Sequence, residues 1–332
     1  MIPTGISRGE AAAVASRRLG ALACAVLLLL VISAAAETRN AQLANGSPRI
    51  DEPITPVPAA PPLDPRRLAL GEQLFQDRRL SVGNALACGS CHDVHSNGSD
   101  GKTHAMGPPG SELQINTPTV FNAALSFRFN WEGNHRSLEG EAEASLVNPR
   151  IMAASVGEVV AKLRGDPELV RRFREAYGRE PDRENLLDAI ATYERSLLTP
   201  GSRFDRWLEG DAAALSAEEQ EGYRLFKSIG CVSCHQGVNV GGNLYERHGI
   251  FHPLAAPKPE ILRVPSLRNV SVTPPYFHDG SAPTLAEAVR RMGEAQLDRS
   301  LTDEQVDAIV AFLGTLTGTY RGAPVAGPRA PP

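Results

Sequence analysis

Two short stretches carry the chemistry of this sequence, Cys88-Gly-Ser-Cys91-His92 and Cys231-Val-Ser-Cys234-His235. In each, two thiols stand about one helical turn apart, so both can add to the two vinyl groups of one porphyrin. The histidine directly after the second thiol then turns its imidazole toward the iron. Cys-x-x-Cys-His is accordingly the attachment sequence of c-type haem. A four-cysteine zinc site would use the thiols but needs no histidine after each pair. A thioredoxin-type pair needs one Cys-x-x-Cys beside a βαβ pattern, and disulfides across two-residue loops are strained and leave both histidines idle. Two covalent haems is the reading that uses all six side chains. It also fits the thin aromatic content, 10 Phe, 6 Tyr and 2 Trp in 332 residues, because a porphyrin fills core volume that rings would otherwise occupy.

The two motifs belong to an internal repeat. Gly71-x-x-Leu74-Phe75 precedes the first and Gly222-x-x-Leu225-Phe226 the second. Downstream, Pro118-Thr-Val-Phe-Asn122 matches Pro265-Ser-Leu-Arg-Asn269 at an offset of 147, and the pairs Glu132-Gly133/Asp279-Gly280 and Ser137-Leu138/Thr284-Leu285 keep that offset. Two copies of one module is the economical explanation. In the second copy Met292 follows on the helix opened by Thr284. A thioether opposite histidine raises the reduction potential and suits electron transfer; a core methionine at helical spacing is the plainer alternative. The same offset carries Met292 onto Ser145, which is no ligand for haem iron. One haem is therefore expected to be six-coordinate and the other to keep an open face.

The elements that must hold these groups are helical. Asp166-Pro167 starts a helix with an N-cap and Pro at N1, the run 183–198 repeats apolar residues at helical spacing, and Ser216/Glu219 and Thr302/Gln305 fit capping boxes. Strand-like alternation is scarce, so the fold class is mostly α. Residues 1–36 combine Arg8, Arg17 and Arg18 with an apolar run that ends in small residues, the pattern of a cleaved secretory signal peptide; an uncleaved anchor is the alternative. Cys24 lies inside that run and carries no role. Residues 37–66 read as a Pro-rich extended tether and 321–332 as a disordered tail. Export to the periplasm follows, where c-type haem is attached in bacteria. The net charge of −4 without a basic stripe excludes a nucleic-acid binder, and 5 Cys are too few for a disulfide-stapled scaffold.

With these features in place, the sequence resembles the bacterial di-haem cytochrome c peroxidase family, which includes the MauG-type protein-modifying enzymes. The resemblance covers nearly all of 66–318 and rests on LFQDRRLS, NTPTVFNAALSF (116–127), YERSLLTPGSRFDRW (193–207) and VPSLRNVSVTPPYFHDGSAPTLAEAVRRM (264–292). It implies two tandem cytochrome c-like domains, 67–205 and 206–320, each with one covalent c-type haem. Met292 matches the axial methionine of the high-potential haem, where MauG-type enzymes carry Tyr. Trp131 matches the tryptophan that relays electrons between the haems, and Asn116, Thr273 and Pro275 match the positions whose oxygens hold a calcium ion. His104 falls in the loop where members often place a displaceable distal histidine. The departures are Glu141 for a pocket glutamine, Ser145 for a proline and Ile151 for the catalytic glutamate. Peroxide cleavage needs a group that takes a proton from one oxygen and returns it to the other. Isoleucine cannot, so Glu141 is the first candidate, with His104 and His135 behind it. Without the resemblance, Glu141 would read as a solvated helix carboxylate beside Glu139 and Glu143. His95, His248, His252 and His278 read as surface or turn residues, and Gly249 and Pro253 argue against a helix that would pair His248 with His252.

The resemblance thus implies an exported peroxidase that reduces hydrogen peroxide with electrons from a small periplasmic redox protein, a cytochrome c or a cupredoxin. The alternatives are a MauG-like oxidase that modifies a Trp or Tyr of a partner protein, and an electron carrier whose first haem is closed by His104 or Met106. A homodimer is compatible with any of these.

Overall fold

The computed structural model describes residues 51–108 and 111–328. The leader with Cys24, residues 37–50 of the expected tether, Pro109-Gly110 and the last four residues of the tail lie outside the described residues.

Caps written in the sequence start most of the helices. Asp64 accepts from the backbone N–H groups of Arg66 and Arg67 at the head of α1 (Pro65–Phe75). Ser137 caps α2 (Leu138–Val147), and Ser155 with Glu158 forms a capping box on α3 (Val156–Arg164). Asp166 and Pro167 open α4 (Pro167–Tyr177), and Asp182 caps α5 (Arg183–Ser196). After the short α6 (Arg203–Leu208), capping boxes at Ser216 and Thr302 start α7 (Ala217–Ile229) and α9 (Asp303–Gly314), while Thr284 caps α8 (Leu285–Leu297). Each cap satisfies N–H groups that the first turn leaves orphaned. Extended structure among the described residues amounts to two antiparallel pairs, β1 (Tyr245–Arg247) with β2 (Ile261–Arg263), and β3 (Thr319–Tyr320) with β4 (Ala323–Pro324).

The repeat is visible as one helix crossing made twice. A Cβ at Gly71 of α1 would fall onto the carbonyl of Ala189 and against Tyr193 in α5; a Cβ at Gly222 of α7 would fall onto the carbonyl of Ala308 and against Phe312 in α9. Glycine is required because the two backbones touch there. Beside each crossing an aromatic pair packs, Phe75–Tyr193 at 5.1 Å and Phe226–Phe312 at 5.2 Å between ring centroids. The repeat asparagines behave alike: Asn122 and Asn269 both take φ 60°, and their N–H groups bond the carbonyls of Leu197 and Leu316. Asn122 and Asn269 also meet, each donating from its side-chain amide to Thr199 Oγ1, at 2.7 and 3.0 Å. The described residues of both modules, apart from 209–212, group into one compact unit.

Two segments depart from expectation. The part of the tether that is described does not hang free. Ile54 and Val57 are buried, the carbonyl of Pro53 accepts from Gly237, and Glu52 bonds Tyr223 and Lys227. Arg268 donates to the Thr55 carbonyl and pairs at 2.8 Å with Asp205, both side chains being at most 1% exposed. The two apolar residues among the prolines give this stretch something to bury, and the ion pair gives it something to bond. The tail is likewise ordered at its start: Val325 is buried beside Phe75, Phe121 and Tyr193. No described helix is long and apolar enough to cross a membrane.

Candidate active site

Each Cys-x-x-Cys-His motif forms a turn of 3-10 helix and faces its own cavity. The first cavity, about 480 Å³, is lined by Cys88, Cys91 and His92 together with Trp131, Glu141, Ser145, Ile151 and Glu194. The second, about 200 Å³, is lined by Cys231, His235 and Met292 with an apolar shell that includes Phe226, Ile309 and Leu313. The four thiols are free, so neither disulfide exists, and they divide between two cavities instead of gathering as a zinc site would require. Among the described residues no group of three or more His, Cys, Asp or Glu is arranged to hold a metal ion.

Both histidines are prepared as ligands. His92 Nδ1 lies 3.3 Å from the Gly98 carbonyl and His235 Nδ1 lies 3.2 Å from that of Val240. A carbonyl only accepts, so Nδ1 carries the proton and Nε2 is left with its lone pair. Burial lowers both imidazoles from their ordinary range, His235 to about 4, which keeps them neutral at pH 7. Burial also pushes the thiols up, Cys88 to about 12 with help from the nearby Glu194 and Cys231 to about 11.

The cavities differ in their charged groups. Glu141, on α2, lies with Oε2 3.5 Å from His135 Nε2 and accepts from Ser145 Oγ at 3.5 Å. That Oε2 is shielded from solvent and accepts no hydrogen bond. Desolvation raises the Glu141 carboxyl above the usual range, opposed in part by His135. Ser145, four residues on, is one helical turn away on the same face, as the offset from Met292 requires. Trp131 borders both cavities and donates from Nε1 to the Asn116 carbonyl at 2.8 Å, which fixes its ring between the two sites.

A model of the family described as di-haem cytochrome c peroxidase matches residues 65–213, and a cytochrome c model matches 219–317. The cytochrome c551 peroxidase of Nitrosomonas europaea is 40% identical over 286 residues, spanning 81% of this chain and 85% of that one. This chain belongs to the di-haem cytochrome c peroxidase family. A cytochrome c peroxidase of Escherichia coli is also 40% identical, over 81% of this chain and 62% of that longer protein. Among solved structures, a MauG-like protein associated with microbial copper homeostasis superposes with a TM-score of 0.68 at 27% identity, covering 79% of this chain and 93% of that one.

A di-haem peroxidase needs two cavities that each accept a porphyrin, and the residues present fit that group. Each cavity offers a neutral imidazole with a free Nε2 beside the thiols of its own motif; Met292 lines the second cavity, and Met106 and Met152 line the first. Asn116, Thr273 and Pro275 fall on a common stretch of the second cavity wall.

His104 does not line the first cavity. Its Nδ1 is 3.0 Å from Glu112 Oε1, and a backbone bridge between Met106 and Glu112 holds that pair on the outside. Met106 does border the cavity, but 45% of its surface is exposed. His278, read as a surface or turn residue, is only 2% exposed; its ring lies 4.9 Å from that of His248 and 6.4 Å from that of Trp131. His248 adjoins β1, and His252 bonds Asp298, so the two share no helix. Sequence reasoning missed Arg263, which borders both cavities, and Glu194, which lines the first. The signal for Glu194 was available: it follows the core residue Tyr193, where an apolar side chain is expected.

Proposed function

We propose that this di-haem peroxidase reduces hydrogen peroxide to water in the first cavity, using electrons that enter at the second and cross by way of Trp131. The asymmetry of the two cavities carries this reading: one has Met292 in its wall with its histidine, while the other has Ser145 at the matching repeat position and the Glu141 carboxylate beside it. The haem bound in the first cavity supplies the iron at which peroxide would be held and reduced. His92 would hold that iron, and Glu141 lines the same cavity. A carboxyl raised toward neutrality is suited to take a proton from the near oxygen of peroxide and return it to the far one, which supports Glu141 in the place that Ile151 has vacated. Trp131, fixed by its bond to Asn116, borders both cavities and offers an aromatic ring between them. His104 is assigned no catalytic role, because its imidazole is engaged with Glu112.

The electron donor is a small redox protein, a cytochrome c or a cupredoxin, and the enzyme works in the periplasm, as its leader pattern and its need for covalent haem require. Asn116, Thr273 and Pro275 supply oxygen ligands for one calcium ion, a hard cation suited to neutral oxygens.

The altered first cavity supports a second reading, a MauG-like oxidation of a partner protein's Trp or Tyr; Met292 in place of the MauG-type Tyr weighs against it. Steady-state peroxide reduction by the purified holoprotein with reduced cytochrome c or cupredoxin tests the first reading. Rapid turnover is expected. Negligible turnover together with oxidation of a co-encoded protein would favour the second. Electron paramagnetic resonance showing two low-spin haems in every redox state would remove both.

A further inference from the structure

Glu194 places a carboxylate in the first cavity wall, and the second cavity wall holds none. The repeat identifies its counterpart without ambiguity. Tyr193 packs at the Gly71 crossing as Phe312 does at the Gly222 crossing, and the carbonyls of Leu197 and Leu316 accept from the matched asparagines. Counting along α5 and α9 from either landmark pairs Glu194 with Leu313. Leu313 is buried in the apolar core of its module and lines the second cavity. The helix crossing thus accepts a hydrocarbon at this position, and packing does not call for a carboxylate.

The carboxylate is costly where it stands. Its Oε2 is out of reach of solvent and accepts no hydrogen bond, an arrangement unfavourable for a polar group and more so for a charge. The cation nearest along the chain, Arg195, is engaged in an ion pair with Glu139. The groups that face Glu194 are Glu141 and Glu139 from α2, Arg195 on its own helix, and Cys88 from the haem motif. Desolvation, then the two glutamates, push its carboxyl up to about 8, so it holds a proton at neutral pH. Glu141, with His135 and Arg263 on its other sides, lines the same cavity.

Reduction of one peroxide to two waters breaks the O–O bond and takes up two electrons and two protons. The donor protein supplies the electrons, but Glu141 holds only one proton at a time. We propose that Glu194 is the proton store of the first cavity, returning a proton to Glu141 each time Glu141 has given one to peroxide. This role rests on peroxide reduction in that cavity. Glu194 passes on the two protons of a turnover one at a time, each replaced from solvent, and ends chemically unchanged.

Two variants test it on the holoprotein: Glu194→Gln, which keeps size and polarity but exchanges no proton, and Glu194→Leu, which installs the residue the second module already tolerates. Both are expected to load two haems and to lower kcat about tenfold to a hundredfold, within the range for positioned proton transfer, with the KM for the donor unchanged and the wild-type fall in kcat above pH 8 abolished. Glu194→Asp should restore part of kcat. Infrared difference spectra of wild type at pH 7 should show a protonated carboxyl carbonyl band that shifts in heavy water and is missing from Glu194→Gln. Full kcat with the wild-type pH profile in both variants, or carboxyl-region spectra of wild type and Glu194→Gln that are identical, overturns the proton store while peroxide reduction stands. A wild type that turns over no peroxide overturns the peroxidase reading itself and the store with it.

Discussion

The two modules are built on the same helix crossing, the same haem-attachment turn and the same histidine-to-carbonyl bond, yet their cavities hold opposite chemistry. The second is smaller and mostly apolar, with Met292 in its wall and no carboxylate, an environment that suits passing an electron. The first is more than twice as large by volume and carries Glu141 and Glu194, each with one shielded oxygen that accepts no hydrogen bond. Buried charge without a partner is disfavoured unless it performs a task. The difference teaches that one scaffold yields two kinds of haem site through a few substitutions at matched positions: Met292 against Ser145, and Leu313 against Glu194. The helices that hold those positions are interchangeable, and the side chains facing the iron are not.

Four perturbations probe this contrast. Glu141→Gln should have the largest effect, lowering peroxide turnover about 10²–10⁴-fold while leaving the second haem's spectrum and potential unchanged; turnover within a few-fold of wild type would assign the proton transfer elsewhere. Met292→Ala makes the second site resemble the first. It should drop that haem's potential by about 0.1 V or more, inside the ~0.8 V that axial ligands span, and convert its spectrum to high spin. A redox titration that matches wild type would show that Met292 is not the ligand.

A third test uses stability. The folded state holds the Glu194 proton up to about pH 8, whereas the unfolded chain releases it near the ordinary glutamate value of 4.5. Between those values the folded state binds more protons, so stability falls as pH rises through that window and stays low above it. Glu194→Leu should therefore be more stable than wild type at pH 9 by about 1–3 kcal/mol, and the advantage should shrink toward pH 4.5 in thermal melts. An advantage that does not vary with pH would mean that the carboxyl titrates normally. The smallest effect belongs to His104→Ala. Its pair with Glu112 is partly exposed, and its loss should change stability by about 0.5 kcal/mol or less and leave turnover within about twofold; a large loss of turnover would return His104 to the catalytic cavity.

Much of this was legible in the residues. The two Cys-x-x-Cys-His motifs fixed the cofactor class because porphyrin attachment demands that spacing, and the offset of 147 alone matches Ser145 with Met292. The caps at Asp166, Ser216, Thr284 and Thr302 set helix starts because they act over three residues. The placement of His104 was not legible because an irregular loop has no fixed period: it folds back on itself through the bridge between Met106 and Glu112 and pairs His104 with Glu112. The tether was misjudged for a related reason: Ile54 and Val57 look like isolated apolar residues among prolines until the surface they cover, beside Arg268 and Asp205, is present.

The sequence by itself determined what is local or periodic: the attachment of two haems, the duplication, the helical class and the inequality of the sixth-ligand positions. Tertiary structure alone decided which carboxylates share a cavity, that Trp131 and Arg263 border both cavities, and that Glu194 stands unpartnered where its repeat mate is Leu313. The physical reason is that desolvation and the sharing of a cavity arise only when segments far apart in the chain are brought together, and no spacing along one strand of sequence records that distance.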